Sequence, residues 1–254
     1  SNDSICLLDN SIIEYGGYSV TEAIQCYNSS PTITYCTIRY NGNSGIYCDN
    51  AFPEIDYCDI QNNSNNGIFC NTSGPQITNS IISNNASYGI YVYDISDPYI
   101  GSNTVSSNGN YGIYMNSASD DATVTGNTIT DNSSYPIFCY AGNVKNITGN
   151  TFGGNAYEQI YVYGETITTD AIWTNQGIPY RVSSAAHVYV QGTDGTDNIT
   201  TLTISPGTEI QFDTVFLWIG HATSVSYPGA LVADGTEAEP ITFTSAQVSP
   251  VAGD

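Results

Sequence analysis

From Pro31 to Thr166, apolar and polar residues alternate with a period of two in short runs rich in Ile, Val, Thr and Tyr, and Asn, Gly, Ser and Pro separate the runs. Period-two alternation bounded by turn formers is the signature of β-strands, and no stretch repeats at the helical period. The runs recur as one phrase, P-x-I-x-x-C/N-x-I-x-x-N-x-x-x-G-I-Y/F. It is seen at Pro31, Ile33, Cys36, Ile38, Asn41 and Gly45-Ile46-Tyr47, and again at Pro53, Ile55, Cys58, Ile60, Asn63 and Gly67-Ile68-Phe69. Aligned on its Gly-Ile-Tyr end, the phrase puts Ile24, Ile46, Ile68, Ile90, Ile113, Ile137 and Ile160 in one column, with steps of 22 to 24 residues. That length holds three short strands and is one coil of a stacked array. The pattern predicts an all-β parallel solenoid, with about seven regular coils in a domain spanning 1–166.

The alignment creates columns with different chemistry. Asn41, Asn63, Asn85, Asn108, Asn132 and Asn155 each follow the second apolar position of a repeat by three residues. Amides stacked at coil spacing can hydrogen-bond to the coils on either side, so this column reads as a structural asparagine ladder. A second column, Asn10, Cys36, Cys58, Ser80, Asn103, Asn127 and Asn150, holds small or amide residues at a tight bend. A third, two residues after the aligned Ile, holds Cys26, Cys48, Cys70, Val92, Met115, Cys139 and Val162 and belongs to the core. Coils about 4.8 Å apart lie within the Cα range of a disulfide, but parallel side-chain vectors hold the Cβ atoms too far apart, which favours buried free thiols. Cys6 stands outside these columns and is the candidate for an intermolecular bond. His187 and His221 lie away from every Cys and no C-x-x-C pair occurs, which weakens a zinc reading.

Between the aligned Ile and the core column lie Tyr47, Phe69, Tyr91, Tyr114, Phe138 and Tyr161, which alternation turns outward. Such an aromatic face can be a sugar-stacking platform, a surface covered by a neighbouring molecule, or the ordinary preference of outward β positions for Tyr. Asp97 and Asp120 are read as equivalent positions on adjacent coils, with Asp94 and Asp121 beside them. Stacked carboxylates repel unless solvated, protonated or bridged by a cation, so the four are a candidate Ca²⁺ site, with a solvated loop as the simpler alternative.

After Thr166 the rhythm breaks. Alternating runs continue at Val188–Val190, Leu202–Ile204, Ile210–Phe212, Leu217–Ile219, Leu231–Ala233 and Ile241–Phe243, but with uneven spacing, which predicts irregular β coils over 167–254. Asp194 and Asp197, in the turn-rich stretch from Gly192 to Asp197, could touch a cation or lie in a solvated loop.

Charge narrows the partners. Three basic residues, Arg39, Lys145 and Arg181, stand against 24 acidic ones in a chain of 254 residues, a formal net charge of −21. That balance repels phosphate backbones and anionic lipid surfaces, which argues against nucleic-acid and membrane-surface partners. No apolar run is long enough to span a bilayer. Scarce Lys with abundant Asn, Ser, Thr and Tyr, together with eight N-x-S/T sequons, suits an extracellular or cell-surface protein. Asn85 and Asn132 carry sequons inside the ladder and are expected to point inward, and Asn2 carries another. Asn28, Asn62, Asn71, Asn146 and Asn198 fall at outward or loop positions and are the glycosylation candidates.

The segments Ser29-Ser30-Pro31-Thr-Ile-Thr-Tyr-Cys36 and Asn43-Ser-Gly-Ile-Tyr47 resemble the right-handed parallel β-helix repeats of the pectate-lyase-like superfamily, in particular its surface proteins. The stretches Leu202-Thr-Ile-Ser-Pro-Gly-Thr-Glu-Ile210, Gly229-Ala-Leu-Val-Ala-Asp-Gly-Thr236 and Pro240-Ile-Thr-Phe-Thr-Ser245 look like the usual opening of such a domain, yet here they come last. The resemblance therefore implies a right-handed β-helix whose later part is continuous with the next copy, by head-to-tail assembly or as part of a tandem array. It says little about activity.

Three function classes follow. One is a non-catalytic structural subunit of an extracellular sheath, filament or surface layer. Another is a carbohydrate-binding or adhesive module using the aromatic face. The third is a polysaccharide lyase or hydrolase, which the superfamily allows, with Ca²⁺ assisting a lyase. The outward aligned column offers aromatic rings and no carboxylate, so no catalytic residue is assigned and the enzyme reading ranks last.

Overall fold

The computed structural model describes residues 6–17, 21–117, 121–194, 197–221, 223–224 and 226–247. It is an all-β parallel solenoid, and Ala141–Asn146 is the only helical element among the described residues. The chain divides into two compact units, residues 1–138 with 146–158 and residues 139–145 with 159–254.

In the first unit the stacked coils contribute strands of two to four residues to three parallel sheets. One sheet runs from Leu7–Asp9 through Thr32–Thr34 and Glu54–Asp56 to Ile147–Thr148, a second from Ile12–Glu14 through Thr37–Arg39 and Asp59–Gln61 to Thr151–Gly153. The third takes Ile24–Tyr27, Ile46–Asp49, Ile68–Asn71, Ile90–Tyr93 and Ile113–Met115. Register is one residue to one residue, Ile24 to Ile46 to Ile68 to Ile90 to Ile113 to Ile137. Aligned stacks of Ile33, Ile55, Ile77 and Ile100, and of Ile38, Ile60 and Ile82, are at most 1% exposed and fill the interior. Period-two alternation thus becomes one buried and one outward column per sheet.

The bends between strands have a common backbone solution. The residue after each first-sheet strand is left-handed, with positive φ at Asn10, Tyr35, Tyr57, Asn79, Ser102, Gly126 and Gly149. So is the residue after each second-sheet strand, at Tyr15, Tyr40, Asn62, Asn84, Ser107, Asp131 and Gly154. Asn and Gly accept this conformation readily and Tyr does not. Here the bulky residues stack in pairs, Tyr35 on Tyr57 at 5.2 Å and Tyr15 on Tyr40 at 5.7 Å, which offsets part of the backbone cost. The glycine of the Gly-Ile-Tyr end has a different reason. A Cβ on Gly67 would lie 2.4 Å from Ile82 Cγ2 and 2.7 Å from the Gly89 carbonyl oxygen, so only glycine lets the turn approach so closely.

In the second unit three sheets continue the parallel plan with longer connections. They comprise Ile160–Tyr163, Tyr180–Val182, Glu209–Phe212 and Thr242–Ser245; Thr166–Ile167, Val188–Val190 and Leu217–Ile219; and Ala171–Trp173, Thr200–Ile204 and Gly229–Ala233. The in-register residues Ile160, Tyr180, Ile210 and Phe243 lie 20, 30 and 33 residues apart. Uneven loops, with regular pairing beneath them, produce the broken rhythm.

Candidate functional site

The asparagine column forms a continuous hydrogen-bonded ladder. Asn41 Nδ2 donates to Asn63 Oδ1 at 2.8 Å, Asn63 to Asn85 at 2.9 Å, Asn85 to Asn108 at 3.1 Å, and Asn108 to Asn132 and Asn132 to Asn155 at 3.0 Å. Each Oδ1 also accepts the backbone N–H of the preceding rung, as Asn108 N–H does to Asn132 Oδ1 at 3.1 Å. The remaining amide hydrogen reaches back to a carbonyl, as Asn108 Nδ2 does to Ile82 O at 3.1 Å. All six side chains are buried, so the Asn85 and Asn132 sequons face inward.

The bend column is a second ladder. Cys58 N–H donates to Ser80 Oγ, Ser80 N–H to Asn103 Oδ1, Asn103 to Asn127 and Asn127 to Asn150, all at 2.9 Å. Cys36 and Cys58 take the position of an amide donor, their Sγ atoms lying 3.4 and 3.3 Å from the carbonyls of Leu8 and Ile33. One member of the sequence alignment is displaced. Because Leu8 pairs with Ile33, Ser11 rather than Asn10 falls beside Cys36, and Asn10 is the exposed left-handed residue before it. A shorter third ladder, not singled out by the repeat phrase, runs Ala51 N–H to Ser73 Oγ at 3.1 Å and Ser73 N–H to Ser96 Oγ at 3.0 Å.

The aromatic column points outward but is half covered by its own neighbours. Tyr47 lies 5.1 Å from Phe69, Phe69 stacks on Tyr91 at 4.8 Å, and Tyr114 on Phe138 at 4.5 Å. Flanking rings close over it: Tyr88 stacks on Tyr114 at 4.8 Å and Tyr135 on Tyr157 at 4.6 Å, leaving Phe138 only 7% exposed. Tyr161, in the second unit, is half-buried in register with Arg181. Coil spacing and ring-stacking distance coincide, so outward aromatics hold successive coils together.

The acidic group is arranged differently from the sequence alignment. Tyr99 pairs with Thr123, which sets Asp97 opposite Asp121 rather than Asp120, and Asp120 lies outside the described residues. Asp97 Oδ1 accepts the Asp121 N–H at 2.9 Å, Asp121 Oδ1 accepts from Asn146 Nδ2 at 2.6 Å, and Asp94 accepts from the Thr72 hydroxyl at 3.3 Å. These carboxylates bridge coils, and no cluster of three His, Cys, Asp or Glu side chains among the described residues is placed to hold a metal ion. Among the sequon residues, Asn28 and Asn198 are exposed, Asn62 is half-buried, and Asn71 and Asn146 are half-buried with their Nδ2 atoms donating to Asp49 and Asp121. Asn2 lies outside the described residues.

All seven cysteines are free, Cys6 exposed and the other six buried. The hydrogen bond to Cys48 and then burial raise the Cys26 thiol well above its usual range, while burial pushes Cys58 up to about 11 and raises Cys139. In the second unit Glu165 is a half-buried carboxyl whose Oε1 accepts the Gly142 N–H at 2.7 Å; burial raises its pKa.

A family model described as the right-handed beta helix region matches residues 22–193, most of the chain. The chain belongs to the right-handed β-helix family. The pectate-lyase-like superfamily that its repeats resemble fits this match, and the β-helix fold occurs in enzymes and non-enzymes alike. Comparison with curated proteins and with solved structures found no significant match. No helix among the described residues of the β-helix is long and apolar enough to cross a membrane.

Proposed function

We propose that the chain is a non-catalytic structural subunit of an extracellular sheath, filament or surface layer, in which copies stack head-to-tail through open sheet edges. One observation carries this reading. In the second unit Phe243 is in register with Ile210 and Leu231 with Leu202. Ile210 and Leu202 are at most 1% exposed, whereas Phe243 and Leu231, on the last strands of the same inward columns among the described residues, are 43% and 36% exposed. Such an edge presents an apolar column that a further parallel coil would cover. In the first unit Leu8, Ile13 and Ile24, half-buried and in register with the buried Ile33, Ile38 and Ile46, offer a complementary edge. A contact between two different edges is heterologous and propagates when it does not close.

The polar side chains support a scaffold over an enzyme. The amide ladders spend them on coil-to-coil bonds, and all three basic residues have partners: Arg39 with Glu14 at 3.0 Å, Arg181 with Asp213 at 3.1 Å and Lys145 with the Thr169 hydroxyl at 2.9 Å. A lyase would need such a base free to take a proton beside a uronate carboxylate. The Lys-poor, acidic composition and the exposed sequon residues Asn28 and Asn198 support an extracellular setting. Sedimentation velocity over a concentration series tests the proposal. Species that grow with concentration, and shrink to the smallest form in Phe243→Asp, are expected; a single species unaffected by that change refutes it.

A further inference from the structure

The second unit carries an aromatic surface that the repeat phrase does not contain. On the sheet formed by Thr166–Ile167, Val188–Val190 and Leu217–Ile219, the inward residues Ile167, Val188 and Val190 are at most 2% exposed, while Thr166, Tyr189 and Trp218 form the outward column. The Tyr189 and Trp218 rings lie 6.1 Å apart at 33°. His187 extends the surface by stacking on Phe216 at 3.6 Å, and Phe216 lies 5.7 Å from Trp218. Unlike Phe138 in the regular coils, Trp218 and Phe216 keep open faces, 38% and 44% exposed.

Thr166, Tyr189, Gln191, Trp218 and His221 line a cleft of about 290 Å³. That is at the small end of ligand pockets, about 300 Å³ and upward. Its polar groups are a hydroxyl, a carboxamide and an imidazole. His221 Nδ1 accepts the N–H groups of Thr223 at 3.2 Å and Ser224 at 3.1 Å, so the neutral ring carries its proton on Nε2 as a donor. Gln191, just past the strand Val188–Val190 and in the cleft lining with Tyr189, supplies both donor and acceptor. The lining contains no Lys, Arg, Asp or Glu, so it has neither a counter-charge for a uronate nor a carboxylate for a cation.

From this geometry we propose that the cleft is a binding subsite for one neutral pyranose ring of an uncharged polysaccharide. The sugar's C–H face lies on Trp218 and Tyr189, and its hydroxyls exchange hydrogen bonds with Gln191, Thr166 and His221. Aromatic faces with a few convergent polar groups match the amphipathic surface of a neutral sugar. The net charge of −21 further disfavours polyanionic chains. Trp218 lies on the edge strand of its own sheet, whereas Leu231 and Phe243, the edge residues of the other two sheets, are not part of the cleft, so sugar binding and the Phe243→Asp effect are read separately.

Tryptophan fluorescence tests it directly, because Trp218 is exposed while Trp173, the other of two tryptophans, is 1% exposed and serves as a buried reference. The full chain would be titrated with cellohexaose, maltohexaose, mannohexaose and chitohexaose, and with polygalacturonate as the anionic control. The expected result is a saturable change with at least one neutral hexaose and none with polygalacturonate. Calorimetry should then show binding about tenfold or more weaker in Trp218→Ala and clearly weaker in Gln191→Ala, with Trp173 emission confirming the fold and sedimentation unchanged. No binding of any neutral hexaose up to about 10 mM, equal binding by Trp218→Ala, or equal binding of polygalacturonate would overturn it. In the first case the open rings are left to a protein partner.

Discussion

Glu158 stands in for the next asparagine of the ladder: its Oε1 accepts the Asn155 backbone N–H at 2.7 Å, as each earlier rung's N–H is accepted by the following amide oxygen. At the other end the Gly16 N–H donates to Asn41 Oδ1 at 2.9 Å. The ladder therefore has a start and a carboxylate stop within the first unit. Because only the acceptor matters at the stop, Glu158→Gln should stay within about 1 kcal/mol of the parent and Glu158→Ala should cost about 1–3 kcal/mol in denaturant unfolding.

An interior rung is worth more. Asn108→Ala removes donors and an acceptor from a fully buried site and leaves the Asn85 N–H unsatisfied, so a loss of about 2–5 kcal/mol is expected. Contacts in a solenoid are between nearest neighbours. Hydrogen exchange should therefore show the loss concentrated in the coils holding Asn85, Asn108 and Asn132.

Stacking makes a separate contribution. Tyr114, packed between Tyr88 and Phe138, should cost about 1–3 kcal/mol when changed to Ser, and Tyr93, 42% exposed, should cost less. Equal, negligible losses for both in thermal unfolding would return the column to simple β preference.

Thiol accessibility should separate Cys6 from the rest. In native protein at pH 8 one equivalent reacts rapidly with a disulfide reagent, and the remaining six react only after unfolding. Cys58 has its folded value raised to about 11 from 9.0. Its contribution to stability is thus present below about pH 9 and lost as pH climbs toward 11. Cys58→Ser should flatten that alkaline slope in thermal melts.

Glu165 acts on the acid side. Its folded value is raised, so the fold prefers the protonated form, and ionisation at neutral pH destabilises. Glu165→Gln keeps an acceptor for Gly142 N–H and should melt higher than the parent at pH 7, with the difference closing as pH falls through the carboxylate range. A gap independent of pH would contradict this.

The ladder was legible in the sequence because one residue type recurs at a fixed step and the fold buries it each time. Registers that depend on one local insertion were not. Leu7 and Thr32 pair across 25 residues where Thr32 and Glu54 pair across 22, which moves Ser11 into the place assigned to Asn10. A variable loop likewise sets Asp97 against Asp121. The cleft of the second unit was invisible for the same reason: Thr166, Tyr189 and Trp218 align across steps of 23 and 29 residues, which no fixed period reveals. Glu158 gave no signal because it differs chemically from the column it ends.

Electron microscopy of the purified chain at rising concentration tests the structural reading most directly. Filaments or sheets built by end-to-end contact are expected, lengthening with concentration and lost in Phe243→Asp. Isolated particles without end contacts at every concentration would contradict it.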